Sequence, residues 1–305
     1  MTAPVTAVIG LGCGAFTGGY GAVDEGECVS TIQHALDIGS NLVDVADFYR
    51  AGEVERLVGR AITGRRDEAL IATRGGMRFD ARGKPTGIDG SPEYLTRACD
   101  ASLRRLSVDH IDLYYLARVD PLVPVEESIG RLGELVNAGK IRQIGLAKAS
   151  AEELRRAHRV CPISALATEY SLVARGAEAA ELPAARELGV TLVACRPLGR
   201  GLLTGRLLSA DDLDDGDYRQ DDERFRPEHL KRHRRLLADA EALVAEKDLS
   251  LSRLALAWLL AQPGVVPVPS TRSRLHLEMN AASVGVRLTP EDGDRLTALF
   301  PPTLP

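Results

Sequence analysis

Short apolar runs alternate with longer amphipathic stretches along the whole 305-residue chain, and this alternation restricts the possible folds more than any other feature. Val8–Leu11, Asn41–Val45, Ala69–Thr73, Ile111–Leu116, Ile141–Leu146, Ala165–Glu169, Thr191–Cys195 and Val265–Val268 read as buried strands. Between them lie Gly26–Ile38, Glu53–Ile62, Pro92–Leu106, Pro124–Ala138, Ala151–Arg159, Glu178–Glu187 and Leu251–Ala261. Their apolar residues recur at three- and four-residue intervals, the pattern of one-sided helices. Ser91-Pro92 and Ser252 are start signals, and Gly39, Gly139 and Gly189 are stop signals. Eight strands interleaved with helices predict an α/β protein whose parallel sheet closes into a (β/α)8 TIM barrel. No linker divides the chain, so residues 1–305 are expected to form a single barrel domain. The one biased segment, Ser209–Arg235, is first acidic (Asp211, Asp212, Asp214, Asp215) and then basic (Lys231, Arg232, Arg234, Arg235). It reads as a solvated loop followed by a charged helix face.

Composition narrows the function classes. A net charge of -5 argues against nucleic acid or an anionic membrane as the main partner. The five cysteines form no CxxC pair and no metal-ligand spacing, so they read as reduced thiols of a cytoplasmic protein, and no metal is expected. No uninterrupted apolar stretch is long enough to span a bilayer, and Met1-Thr2-Ala3-Pro4 lacks the basic start of a signal peptide. The six histidines fall on helices and outer loops, in no metal or dyad pattern.

In such a barrel the chemistry sits at the C-terminal ends of the strands. There the chain carries Asp44-Val45-Ala46-Asp47-Phe48-Tyr49, followed by Gly52, Glu55 and Gly59. Further blocks are Gly10-Leu11-Gly12-Cys13-Gly14, Asp112 through Leu116 with Arg118-Val119-Asp120-Pro121, Gly139 through Arg142, Glu169-Tyr170-Ser171-Leu172 and Pro197 through Gly205. Arg224-Phe225 with Glu228, and Val266 through Pro269 with Thr271, Leu277 and Asn280, complete the series. In content and order these blocks resemble the aldo-keto reductase superfamily over nearly the whole chain. The chain starts short of that family's entry hairpin, so the barrel floor is expected to be less well capped.

The resemblance implies a reaction in which a tyrosine gives a proton to a carbonyl while NADPH gives a hydride, with a lysine, an aspartate and a histidine in support. Asp44 and Tyr49 match two of these groups. Arg74 stands for the lysine and Ala117 for the histidine. The swap at position 74 exchanges a compact ammonium for a planar fork. The residues implied for the nicotinamide end have changed as well, to Ala147, Lys148, Ala167 and Cys195, and His276 stands where the 2′-phosphate is usually gripped. Lost hydrogen bonds at about 1 kcal/mol each, a charge-assisted bond and an aromatic stack add up to roughly 4–6 kcal/mol, about a thousand-fold in affinity. The expectation is therefore a degenerate tetrad with the NADP site lost or weakened, and no cofactor.

The preferred reading is a non-redox lyase, cyclase or isomerase acting by acid/base chemistry on a small oxygenated molecule. Tyr49 is its proton carrier, with a pKa lowered by Arg74, and Asp44 holds Arg74. Lys148, Arg196, Glu169 and Arg118 are the substrate-binding candidates. The alternative is an NADPH-dependent carbonyl reductase with an atypical tetrad, in which Leu198, Gly199, Gly201, Thr271, Arg272, Arg274 and Asn280 hold NADP(H). A third reading is a non-catalytic binding barrel.

Overall fold

The computed structural model describes residues 5, 7–207, 209–213 and 217–300. Asp214, Asp215 and residues 1–4 of the sequence-based expectations lie outside them. The strands are β1 (Gly10–Gly12), β2 (Leu42–Asp44), β3 (Leu70–Gly75), β4 (Met77–Phe79), β5 (Pro85–Ile88), β6 (Ile111–Leu116), β7 (Ile141–Ala147), β8 (Ile163–Glu169), β9 (Thr191–Cys195) and β10 (Val265–Val268). Eight of them form one parallel sheet in the order β1-β2-β3-β6-β7-β8-β9-β10, while β4 and β5 make a separate antiparallel hairpin. The sheet closes where Gly12 pairs with Ser270 and the Gly12 N–H donates to the Pro269 carbonyl at 2.9 Å. This is the (β/α)8 barrel that the alternation predicts.

The outer layer comprises α1 (Glu25–Asp37), α2 (Glu53–Ala61), α3 (Pro92–Leu106), α4 (Val125–Asn137), α5 (Ala151–Val160), α6 (Glu181–Leu188), α7 (Pro227–Lys247), α8 (Leu251–Leu260), α9 (Arg274–Ala281) and α10 (Pro290–Leu299). Local chemistry sets their ends. The Ser91 hydroxyl caps α3 by accepting the Tyr94 N–H, and Ser150 with Glu153 makes a reciprocal capping box on α5. The expected start at Ser252 moves to Ser250, whose hydroxyl accepts the Arg253 N–H at 3.4 Å. The basic half of the biased segment lies on α7, where Lys231, Arg232, Arg234 and Arg235 are exposed. No helix among the described residues is long and apolar enough to cross a membrane.

The barrel interior is filled by Leu42, Ala72, Leu113, Tyr115, Ala147, Ala165, Ala167, Val193, Val266 and Val268. Val5 and Ala7 join this cluster ahead of β1, so they cover the floor that was expected to be poorly capped. Tyr115 fits because β7 carries Gly145, where a Cβ would lie 2.3 Å from the Tyr115 ring. Fully burying a side chain of this kind contributes about 1.5–3 kcal/mol, so the filled interior is a rigid base for the open upper end.

Candidate active site

A cavity of about 830 Å³ opens at the C-terminal ends of the strands. Its walls include Asp44 and Tyr49 after β2, Arg74 on β3, Ala117 and Arg118 after β6, Ala147 and Lys148 after β7, Glu169 on β8, and Cys195 and Arg196 after β9. The loop that follows β10 contributes Ser270 through Ser273, and α9 contributes His276.

Arg74 crosses the barrel mouth to Asp44. One guanidinium nitrogen donates to Asp44 Oδ1, and Nε donates to the Val45 carbonyl at 3.4 Å. The guanidinium carbon lies 5.1 Å from the centre of the Tyr115 ring, a cation–π seat that fixes the fork. Asp44 and Arg74 are both buried, and Asp44 Oδ2 has no hydrogen-bond partner among the described residues. Burial raises the Asp44 carboxyl, which the adjacent guanidinium counters.

Half-buried Tyr49 projects into the same space and packs edge-to-face against Phe48, with ring centres 5.1 Å apart. A Cβ at Gly14 would lie 3.6 Å from Tyr49 Oη, an ordinary van der Waals contact, so Gly14 packs beside that hydroxyl. Burial dominates the Tyr49 phenol and pushes it up to about 12; Arg74 opposes the rise without reversing it. The expectation of a lowered pKa is corrected here, because desolvation outweighs one guanidinium that Asp44 has already neutralised.

The other charged candidates divide into two groups. Glu169 accepts from Arg196 at 3.0 Å and from Arg224 at 2.7 Å, and it also pairs with Arg200 at 3.5 Å. Asp222 binds Arg200 and Arg224. Arg196 is therefore tied into a shared network with Glu169. Lys148 and Arg118 have no ion pair or side-chain hydrogen bond among the described residues. Desolvation, then Arg118 and Arg196, push the Lys148 ammonium down to about 8. Lys148 (φ 54°) and Arg196 (φ 52°) both adopt left-handed backbone directly after a strand. Such strain costs on the order of 1–3 kcal/mol per residue and clusters at functional sites.

Of the residues expected to hold NADP(H), Leu198, Gly201, Thr271 and Arg272 line the cavity. Gly199, Arg274 and Asn280 lie off its wall, and Arg274 faces Glu27 at 3.7 Å. Arg272 donates to the Tyr20 and Gly21 carbonyls at 2.9 and 3.1 Å.

Sequence reasoning missed Arg200, Arg206, Arg219, Tyr20 and Tyr218, all on the wall. Tyr20 Oη and Tyr218 Oη are 2.6 Å apart, and the Arg219 guanidinium stacks 4.8 Å from the Tyr20 ring centre. These contacts carry the loop before α7 across the cavity. The available signal was the pair of Asp-X-Arg steps, Asp217–Arg219 and Asp222–Arg224, each closed as an ion pair. His276 sits on α9 and lines the cavity, in keeping with its expected place near the phosphate-gripping position.

Comparison with known proteins fixes the family. Residues 8–300 match the model of the Aldo/keto reductase family. An aldo-keto reductase of Schizosaccharomyces pombe, whose name specifies NADP(+), is 37% identical over 287 residues, covering 92% of this chain and 84% of that protein. The glycerol dehydrogenase of Gluconobacter oxydans superposes with a TM-score of 0.87 at 28% identity, covering 96% of this chain and 90% of that one. An aldo/keto reductase from Klebsiella pneumoniae, solved in complex with NADP and acetate, superposes at 0.73 with 27% identity over 97% of this chain and 92% of that one.

These findings overturn two expectations. The relatives are named as oxidoreductases, an aldo-keto reductase specifying NADP(+) and a glycerol dehydrogenase, so the reading as a non-redox lyase, cyclase or isomerase is withdrawn. The expectation of no cofactor falls with it, since a superposable relative holds NADP. The energetic sum behind both counted the side chains changed at the nicotinamide contacts and left out Arg200, Arg206 and Arg219, which also line the cavity. With the barrel, the ordered motifs and the relatives in agreement, the chain belongs to the aldo/keto reductase family.

Proposed function

We propose that this protein is an NADP(H)-dependent reductase of a small carbonyl compound, with Tyr49 as its proton donor. The observation that carries this reading is the charge of the cavity. Eight basic side chains and only two acidic ones line it, in a chain whose net charge is -5. A polyphosphate dinucleotide is the kind of ligand such a lining draws in.

The residues present fit that cofactor. The cavity volume lies within the roughly 300–1,000 Å³ usual for small-molecule sites. Leu198 to Gly201 turn sharply, with Gly199 at φ 57° and Gly201 at φ 101°, and a Cβ at Gly201 would lie 2.9 Å from Arg219 Nη1. Arg200, Arg206, Arg219, Arg272 and the Thr271–Ser273 backbone would hold the phosphates. Ala147, Ala167 and Cys195 leave room at the nicotinamide end, while Gly199 belongs to the turn, and Arg274 and Asn280 to α9, off the cavity wall. When bound, NADPH supplies the hydride.

The chain's own residues manage the proton. With its phenol near 12, Tyr49 is protonated at neutral pH and ready to donate to a carbonyl oxygen. Arg74 stabilises the phenolate left behind, and Asp44 with the Tyr115 ring keeps Arg74 in position. Ala117 contributes no polar group, so Tyr49 orients the carbonyl on this side.

The test is Tyr49→Phe on protein stripped of endogenous ligand. The reading expects kcat for NADPH-dependent aldehyde reduction to fall by about 10²–10⁴-fold, while NADPH binding, followed by the dinucleotide's own fluorescence, is retained. It is abandoned if wild-type protein neither binds millimolar NADPH nor oxidises it with any of a panel of carbonyl compounds.

A further inference from the structure

Apart from Arg74 on β3, two sectors of the rim carry polar and cationic groups. Thr271, Arg272 and Ser273 follow β10, beside β1, and Arg200 and Arg206 follow β9. Arg118 and Lys148 follow β6 and β7. In the closed order β1-β2-β3-β6-β7-β8-β9-β10, β6 lies opposite β10 and β7 lies opposite β1. An anion that occupies the β9–β10 side leaves Arg118 and Lys148 unanswered across the mouth. They flank the wall where β2 and β3 present Tyr49 and Arg74.

Every other strand-end cation near this wall has an acidic partner. Arg74 has Asp44, and Arg196 and Arg200 share Glu169. Arg118 and Lys148 are mutually repulsive, line the cavity, and have no acid of their own among the described residues. Lys148 is exposed and adopts positive φ at the end of β7, a backbone region that non-glycine residues seldom occupy. Two like charges maintained side by side at a pocket wall form half of an ion-pairing site whose other half comes from outside the chain.

We propose that Arg118 and Lys148 bind an anionic group on the substrate, so that the carbonyl compound reduced here carries a carboxylate or a phosphate away from its reacting carbon. This deepens the reductase reading and rests on it for the reaction, though not for the anion site itself. A guanidinium and an ammonium together suit either anion, and the probes tell the two apart.

Calorimetric titration of NADP-saturated protein with succinate and, separately, with inorganic phosphate tests the site directly. One of the two anions is expected to bind, with affinity at least about tenfold weaker in Lys148→Gln and weaker again in Arg118→Gln/Lys148→Gln. Lys148→Arg should keep most of the affinity. Because residue 148 is exposed, the single variant is informative even if the double variant folds poorly. Kinetics add a second readout. Wild-type protein should prefer 4-oxobutanoate, an aldehyde bearing a carboxylate, over butanal by about tenfold or more in kcat/KM if succinate is the anion that binds, and Lys148→Gln should bring that ratio toward one. The site is refuted if neither anion binds, or if both variants bind as wild type does. Lys148-dependent anion binding without NADPH oxidation would keep the site and sink the reductase reading. NADPH oxidation without Lys148-dependent binding would do the reverse.

Discussion

Two ion-pair systems face the same cavity and differ in construction. At the barrel mouth Arg74 has one acidic partner, Asp44, in a dry setting where the two side chains are 10% and 8% exposed. At the rim, Arg196, Arg200 and Arg224 share Glu169 and Asp222, and Arg196 is 35% exposed. In the first system each charge is answered once and little of either side chain is open to solvent. In the second, every acid answers more than one arginine and solvent reaches the outermost of them. A buried pair of the first kind fixes a geometry, and its loss strands a charge; a shared network tolerates the loss of a member.

The sharpest way to break this contrast is Asp44→Asn. It leaves the Arg74 guanidinium buried without a counter-charge, and denaturant unfolding should show a loss of about 3–5 kcal/mol. A rim-sized effect would mean that water enters the mouth. Next comes Glu169→Gln, which removes the acid common to three arginines and should cost about 1.5–3 kcal/mol in the same assay. Arg196→Gln should be milder, within about 1 kcal/mol, because its partner keeps Arg200 and Arg224. If Arg196→Gln matched Asp44→Asn, the network would not be redundant and the comparison would fail.

The smallest effect concerns pH. Arg118, Arg196, Glu169 and Cys195 face Lys148, and its ammonium is depressed from 10.5 to about 8. The charged form is the anion binder, so succinate affinity should decline as pH rises through about 8, and Lys148→Gln should flatten the profile. The sign for stability is opposite. Between about 8 and 10.5 the unfolded chain holds this proton more tightly than the folded one, so Lys148 makes stability rise with pH there.

The barrel was legible because each inner strand is a run of apolar residues covered on both faces. Ile111–Leu116, Thr191–Cys195 and Val265–Val268 were placed to the residue. The hairpin β4–β5 was not, since β5 is exposed throughout and begins at Pro85. Helices α9 and α10 start from the Ser273 and Thr289 caps and bury few residues each, so their apolar periodicity is faint. At the site, Asp44, Tyr49 and Arg74 were readable as strand-end residues. The direction of the Tyr49 shift was not, because desolvation depends on what surrounds the ring and leaves no mark on its neighbours in sequence. The arginines between β9 and α7 were hidden for another reason. Arg200, Arg206 and Arg219 lie in a loop whose path over the cavity depends on the Tyr20–Tyr218 contact, almost two hundred positions apart.

Seven of the eight joints around the barrel are ladders of paired strands. The eighth is thin: the Gly12–Pro269 hydrogen bond and the Ser270 hydroxyl, which donates to the Gly12 carbonyl at 2.6 Å and accepts the Ala15 N–H at 2.7 Å. That seam borders the cavity, and a ligand lying over it would act as a clasp between β1 and the segment after β10. Occupancy would then be converted into mechanical closure, stiffening the joint in proportion to the logarithm of ligand concentration over Kd. Amide exchange at Gly12, Ala15 and Ser270 should therefore slow on adding NADP(H) more than exchange within the β6–β7 ladder, so that the firmness of the barrel's closure would track occupancy of the cavity.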